Sequence, residues 1–160
     1  MTEKSAKTNA MRVLDAHGVR YELITFSSEI HSAVGVSQEL GYPIEQVVKT
    51  LVALRESGQP LLVMVAGDRE LSLKLVARAV GDKKVRMASM REAESLTGLE
   101  VGGISALPLL NKPFDILVDR RVMEQSHVLI SAGRRGANLR LATADLVRVT
   151  GARAIEATRS

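Results

Sequence analysis

An unbroken apolar run near the middle of the chain limits the fold most strongly. Residues 61–66 read Leu-Leu-Val-Met-Val-Ala, and a turn-like segment at 56–60 precedes them. A strand that is apolar at every position offers no face to solvent, so we expect it to be central in its sheet and buried on both faces. The run therefore predicts a sheet that is covered by other elements on its two sides.

Helical and strand patterns are interleaved around this run. Amphipathic spacing and capping residues predict helices at 5–17, 33–40, 68–80, 89–96 and 143–149. The proposed caps are Ser5 or Thr8, then Ser32, Thr143, and a capping box from Ser89 to Glu92. Alternating or apolar runs predict strands at 19–26, 47–54, 61–65, 83–87, 114–118, 128–130 and 139–141, with one more edge strand in 152–160.

The order of these elements indicates a mixed α+β fold of the α/β type. Helices and strands alternate, but 47–54 and 61–65 form a hairpin pattern, which excludes a purely parallel sheet. We expect one curved mixed β-sheet flanked by helices. The length of 160 residues suits a single domain over 1–160, with its core at about 10–154.

Composition excludes several classes of function. The chain has no cysteine, which excludes disulfides, thiolate metal sites and a cysteine nucleophile. It shows neither a signal-like leader nor an 18-residue apolar run, so we expect a cytoplasmic location. The net charge of +4 favours contact with phosphates, whereas an aromatic content of 2% leaves little for stacking on single-stranded bases.

Two adjacent glycines, Gly102 and Gly103, lie inside an otherwise apolar run that continues to Ile104 and Ser105. Glycine adopts positive φ and allows a close approach to the backbone. The amides of these four residues are therefore candidates to bind a carbonyl oxygen or an oxyanion. The alternative is a strand that ends in an ordinary turn.

Lys49 is a cation inside an apolar strand pattern. It is either an edge residue with its ammonium in water or a cation at the mouth of a pocket, where it binds phosphate or polarises an ester carbonyl. Thr50 follows it directly. Since neighbouring side chains of a strand point to opposite faces, we expect Lys49 and Thr50 to line one cleft only if the backbone is irregular there.

A second glycine-rich turn follows at 131–136, Ser-Ala-Gly-Arg-Arg-Gly. Gly133 and Gly136 permit a tight turn with exposed amides, and Arg134 and Arg135 are suited to phosphates. The alternative is a solvated basic turn. The segment lacks the spacing of a Walker phosphate-binding loop.

Three segments in this order resemble the family of YbaK and prolyl-tRNA-synthetase-associated domains: Lys49-Thr50-Leu51, Gly102-Gly103-Ile104-Ser105 and Gly133-Arg134-Arg135-Gly136. The resemblance extends from about residue 10 to about residue 154. It implies a domain that removes a wrong amino acid from charged tRNA in trans. It further implies catalytic roles for Lys49, Gly102 and Gly103, and RNA contacts for Arg134 and Arg135. The substrate contacts that it implies are Phe26, His31, Thr50, Ile104, Ser105, Ser131, Gly133 and Asn138.

No general base is evident among the histidines, which are His17, His31 and His127. Metal-binding pairs and a nucleophile elbow are absent from the sequence too, so we expect neither a metal nor a cofactor. In the family that the chain resembles, the ribose hydroxyl beside the ester or the substrate's own side chain is thought to assist hydrolysis. The chain departs from this family at Asn138, where one branch has Asp, at Phe26, where it has Tyr, and at Pro108, which many members place directly after the serine.

The leading functional prediction is a free-standing aminoacyl-tRNA deacylase that removes a small amino acid, such as cysteine or alanine, from mischarged tRNA(Pro). Its partners would be the acceptor end of the tRNA and prolyl-tRNA synthetase. The departures from the family leave the amino acid open. Two alternatives are a non-catalytic module that binds an RNA end or a synthetase, and a pocket for a free amino acid or nucleotide.

Overall fold

The computed structural model describes residues 7–30 and 32–159. The helices of this part of the chain are α1 Asn9–Ala16, α2 Ala33–Leu40, α3 Leu73–Val80, α4 Met90–Thr97 and α5 Thr143–Thr150. Its strands are β1 Tyr21–Thr25, β2 Val48–Arg55, β3 Pro60–Ala66, β4 Val85–Met87, β5 Asp115–Asp119, β6 His127–Ser131, β7 Ala137–Ala142 and β8 Arg153–Ile155. Within these described residues, no helix has the length and apolarity needed to cross a bilayer.

The strands divide between two sheets. A five-stranded mixed sheet has the order β4-β2-β3-β5-β8, in which β2 is antiparallel to both of its neighbours and β3, β5 and β8 are parallel. An antiparallel sheet has the order β1-β7-β6. A bridge between Val47 and Leu129 connects the two. The predicted α+β class is confirmed. The strands form two linked sheets, however, and not the one curved sheet that the sequence predicts.

Strand β3 is buried on both of its faces, as its sequence predicts. Leu62 and Met64 lie in the core between the two sheets, which also contains Ile130 and Leu139. Leu61, Val63 and Val65 face a second core that α3 covers with Val76 and Ala77. The alternation of side chains along the strand supplies both cores from a single apolar segment.

Three predicted helix caps are confirmed. The hydroxyl oxygens of Thr8 and Ser32 accept hydrogen bonds from the amides of Met11 and Gly35. Ser89 accepts from the amide of Glu92 while the Glu92 carboxylate accepts from the amide of Ser89, which completes a capping box.

Several predicted boundaries are wrong. Helix α3 begins at Leu73 after a Ser72 cap, not at Asp68, because Leu71 forms a bridge with Thr158. Thr143 does not cap α5; its hydroxyl is buried without a partner in the part of the chain described. Leu23 belongs to the apolar side of the alternating pattern that predicts the strand at 19–26, but it is 36% exposed, and β1 is an edge strand. The start of the first predicted helix, including Ser5, lies outside the described residues.

Candidate active site

A cavity of about 480 Å³ follows strand β2 from Val47 to Val52. Helices α2 and α4, the turn after α4 and the ends of β6 and β7 complete its walls. Seven of the residues singled out from the sequence line it. They are Phe26, Lys49, Thr50, Gly102, Ile104, Ser131 and Asn138.

Other predicted site residues do not line this cavity. Gly103 and Ser105 belong to the turn behind it, and Ser105 is buried with its hydroxyl oxygen accepting the amide of Leu107. The lining also lacks Gly133, Arg134 and Arg135. His31 lies outside the described residues.

Lys49 and Thr50 both line the cavity although β2 is regular, so the prediction that this needs an irregular backbone is wrong. The pairing of β2 with β3 continues without interruption from Val48 to Leu54. Every residue from Val47 to Val52 contacts the cavity, whereas the side chains of a single strand face would account for only half of them. The cavity therefore lies along the edge of the strand and reaches both of its faces.

The two adjacent glycines have different roles. Gly102 has a φ of 97° and lines the cavity, whereas Gly103 does not adopt positive φ. The amide of Gly103 donates to the carbonyl of Glu100 at 2.8 Å, so it is not available to a ligand as the sequence suggested. Among the described residues, the amides of Gly102 and Ile104 have no acceptor, and both residues line the cavity.

Gly103 allows the two glycine-rich turns to touch. A Cβ at this position would lie 2.8 Å from the carbonyl carbon of Arg134 and 2.9 Å from the amide nitrogen of Arg135. The Arg135 side chain reaches across this contact, and its Nε donates to the carbonyl of Val101 at 2.8 Å. Arg135, predicted to contact RNA, thus has a structural partner in the neighbouring turn.

Helix α4 holds the turn that carries Gly102 from the other side. The Glu94 carboxylate accepts the amide of Val101 at 2.8 Å, and the hydroxyl oxygen of Thr97 accepts the amide of Leu99 at 3.1 Å. Val101 is therefore fixed through both its amide and its carbonyl. Sequence reasoning missed Glu94 and Thr97, because nothing in a helical pattern indicates which side chains bond a turn several residues later.

Ser131 and Asn138 face each other across β6 and β7. The Ser131 hydroxyl oxygen accepts the amide of Gly133 at 3.1 Å. Asn138 is only 7% exposed, and its side-chain amide makes no hydrogen bond to the described part of the chain. Buried polar groups are normally paired, so a side-chain amide that is nearly buried and lines a cavity is suited to bind a ligand.

Lys49 is the one titratable side chain among the described residues that line the cavity. Its ammonium has no ion pair or hydrogen bond within that part of the chain. The described residues of the lining include no carboxylate that would neutralise it, so a ligand's carbonyl or phosphate oxygen is its natural partner. The described residues contain no cluster of three potential metal ligands.

A strongly shifted titratable group lies at the beginning of α4. Arg86 binds the Glu92 carboxylate with two guanidinium nitrogens, at 2.9 and 2.8 Å. This pairing and the amide of Ser89 lower the pKa of Glu92 to about 2. The charge fixes the start of the helix that presents Met90 to the cavity.

Three apolar residues that sequence reasoning did not select lie at the mouth of the cavity. Val34, Met87 and Met90 contact the cavity while 47%, 38% and 62% of their surfaces stay exposed. They come from α2, β4 and α4. Only the tertiary structure brings these elements together, and no local pattern in the sequence marks the three residues.

Comparison with known proteins identifies the class of protein. The model of the aminoacyl-tRNA editing domain matches residues 27–149. The chain belongs to this family, whose members are deacylases of aminoacyl-tRNA, and the enzymatic class predicted from the sequence is confirmed.

Individual relatives agree with this assignment. The chain is 35% identical to a protein of Enterococcus faecalis named "Putative Cys-tRNA(Pro)/Cys-tRNA(Cys) deacylase EbsC", over 95% of this chain and 93% of that protein. A crystal structure titled as that of "a putative trans-editing enzyme for prolyl tRNA synthetase" superposes with a TM-score of 0.81 at 27% identity, covering 98% of this chain and all of that one. A proline–tRNA ligase of Thermodesulfovibrio yellowstonii is 35% identical over 48% of this chain, which corresponds to 13% of the ligase.

Proposed function

We propose that the chain acts in trans on mischarged tRNA and hydrolyses the ester that joins a small amino acid, such as cysteine or alanine, to tRNA(Pro). The observation that carries the proposal is the composition of the cavity. Lys49 is the one charged side chain that lines it in the described residues, and unpaired donors from Gly102, Ile104 and Asn138 line it too. Such an arrangement suits an oxygen on which negative charge develops, such as the carbonyl oxygen of an ester during hydrolysis.

For this reaction the protein mainly has to position the ester and polarise its carbonyl group. The Lys49 ammonium and the amide of Gly102 stabilise negative charge as it develops on the carbonyl oxygen. Water adds to the carbonyl carbon, the bond from that carbon to the ribose oxygen breaks, and a proton from water passes to the ribose oxygen. Since the described lining provides no carboxylate or imidazole, the ribose hydroxyl next to the ester is the natural group to relay that proton.

Relatives support the choice of amino acid and of tRNA. The name of the Enterococcus protein specifies Cys-tRNA(Pro) and Cys-tRNA(Cys), and its alignment covers nearly all of both chains. The matching segment of a proline–tRNA ligase links the domain to charging with proline. Prolyl-tRNA synthetase is accordingly the proposed partner, and the cytoplasm, where tRNA is charged, is the proposed location.

The two basic residues of the second glycine-rich turn have different roles in this proposal. Arg134 has no side-chain partner in the described ranges and is available to a phosphate of the acceptor end. Arg135 contributes through Val101, and thereby supports the turn that carries Gly102.

The test is a hydrolysis assay on tRNA(Pro) charged with cysteine, alanine or proline. We expect the first two esters to be lost faster than in buffer and the proline ester to persist. Replacing Lys49 with Ala should lower kcat/KM by about 100-fold or more, because it removes the main charge that stabilises the transition state. The unfolding midpoint should stay close to that of the wild type.

Lys74→Ala is the matched control, since Lys74 is an exposed lysine of α3 outside the cavity. It should retain full activity. Folded protein that hydrolyses none of these esters would contradict the proposal. Near-normal turnover by Lys49→Ala would contradict the role given to Lys49.

A further inference from the structure

One edge of β2 is uncovered where the cavity meets it. Strand β4 pairs with β2 only over Ala53–Arg55, and the Val47–Leu129 bridge lies at the other end of the strand. The opposite edge of β2 is paired with β3 along its whole length up to Leu54. A short gap in one edge of the sheet therefore opens directly into the cavity.

The hydrogen-bonding pattern shows which backbone groups face this gap. The amide of Arg55 donates to the carbonyl of Gln59 in the hairpin to β3, and the amide of Ala88 donates to the carbonyl of Val52 on the other edge, each at 3.0 Å. Because successive residues of an antiparallel strand alternate between the two edges, Thr50 directs its amide and its carbonyl into the gap. On this edge, within the part of the chain described, β4 pairs with β2 only from Ala53 onwards and the bridge to β6 lies at Val47, so neither strand pairs with Thr50.

A backbone donor and a backbone acceptor that face a cavity side by side suit a ligand that carries an acceptor next to a donor. The gap is too short for the addition of a peptide strand, which needs several consecutive residues of free edge. The exposed apolar side chains of Val34, Met87 and Met90 line the same cavity. Aliphatic and thioether side chains that flank a polar pair suit a flat aromatic ring, with favourable contacts from sulfur.

The volume of the cavity also favours a ligand that contains a flat aromatic ring. A volume of about 480 Å³ suits a ligand of drug-like size, which is more than a small aminoacyl group. The ester of the proposed substrate is attached to the ribose of the terminal adenosine. Adenine presents a ring nitrogen that accepts a hydrogen bond next to an amino group that donates one.

We propose that the free edge of β2 at Thr50 binds the adenine of the terminal nucleotide, with the Thr50 amide donating to a ring nitrogen and the Thr50 carbonyl accepting from the amino group. Val34, Met87 and Met90 pack against the faces of the base. This subsite rests on the proposed function, because it places the base whose ribose carries the ester. It holds the terminal nucleotide through backbone hydrogen bonds and through aliphatic and thioether contacts.

The first experiment compares alanyl esters of adenosine and of purine riboside, which lacks the amino group. Loss of one hydrogen bond should lower kcat/KM for purine riboside by roughly three- to tenfold. The Thr50→Val protein should keep this ratio whatever its absolute rate, because the proposed contacts use the backbone. Equal hydrolysis of the two esters would overturn the subsite while leaving the deacylase function intact.

The second experiment does not depend on hydrolysis. Addition of AMP to the ¹⁵N-labelled protein should shift the amide resonance of Thr50, and Met90→Ala should weaken AMP binding several-fold. Met123→Ala is the matched control, since Met123 is 40% exposed and does not line the cavity, and it should bind AMP as the wild type does. An unshifted Thr50 amide at saturating AMP would overturn the subsite. A shift without hydrolysis of any ester would support the subsite and contradict the proposed function.

Discussion

Gly102 and Gly103 are adjacent in sequence but are needed for different physical reasons. Gly102 adopts a positive φ and leaves its amide free at the cavity. Gly103 has an ordinary φ, and its missing side chain lets the backbone of Arg134 approach. The sequence predicts a site that needs glycines. It does not show that Gly102 is needed for its backbone conformation and Gly103 for its lack of a side chain.

This distinction predicts the effect of a methyl group at Gly103. Gly103→Ala should push the two glycine-rich turns apart, since its Cβ would lie 2.8 Å from the Arg134 backbone, which cannot yield as a side chain would. Displacing the amides at the cavity should lower kcat/KM by about 100-fold. The measurement is steady-state deacylation on the best charged tRNA.

Gly58→Ala serves as the control for Gly103→Ala. Gly58 has a φ of 91° and open space around its Cβ position, in the hairpin between β2 and β3. Its replacement should cost about 1–2 kcal/mol of stability through backbone strain and leave activity unchanged. If Gly103→Ala were as active as Gly58→Ala, the contact between the turns would not matter for catalysis.

Among the secondary-structure elements, helix α4 connects a charged interaction at its first turn with the wall of the cavity. Arg86 and the amide of Ser89 bind the Glu92 carboxylate at the start of the helix, and this lowers the pKa of Glu92 to about 2. Further along the helix, Glu94 binds the amide of Val101. The same helix therefore positions both Met90 at the mouth of the cavity and the turn that carries Gly102.

The lowered pKa of Glu92 predicts how stability depends on pH. A carboxyl group whose pKa is lower in the folded state stabilises that state above its unfolded pKa, and the contribution is lost as pH falls towards the folded value. The stability difference between wild type and Glu92→Gln should thus be present at pH 7 and narrow from about pH 4.5 towards pH 2. Urea unfolding at pH 7, 4, 3 and 2 measures it.

Glu124→Gln is the control for this pH dependence. Glu124 is exposed and has no side-chain partner in the described ranges, so its replacement should leave the pH profile of unfolding unchanged. A difference for Glu92→Gln that stays constant from pH 7 to pH 2 would contradict the role of its charge at the helix start.

At the scale of the whole molecule, a buried carboxylate fastens the last described segment to the five-stranded sheet. Asp119 ends β5 and is fully buried. Its two oxygens accept hydrogen bonds from the amide of Ala157 at 2.8 Å and the hydroxyl of Thr158 at 2.9 Å. Thr158 forms the bridge to Leu71 that delays the start of α3, so one carboxylate organises three segments.

Asp119→Ala should therefore destabilise the fold more than it affects the cavity. It leaves a buried amide and a buried hydroxyl without their acceptor, which should lower the free energy of unfolding by about 2–4 kcal/mol. Asp115→Ala, an exposed position on the same strand, should change it by less than about 0.5 kcal/mol. Urea unfolding compares the two variants, and similar values for both would contradict the structural role of Asp119.

The hairpin of β2 and β3 and the caps of α1, α2 and α4 could be predicted because they depend on neighbours in sequence. The start of α3 and the exposure of Leu23 could not, since pairing with a distant segment and a place at the edge of a sheet decide them. At the candidate site, Lys49, Gly102 and Asn138 were selected from the sequence. Glu94, Met87 and Met90 were not, because their roles arise only from contacts made by the folded chain.

The class of fold, the buried central strand and the family follow from local features, namely apolar periodicity, capping residues and short motifs. Three features depend instead on contacts between remote segments: Lys49 and Thr50 share one cavity, Gly103 allows the contact between two turns, and part of the β2 edge is open. These features depend on where β4 and β6 end relative to β2. Distances between such remote segments are set by the packing of the two sheets, which no local pattern encodes.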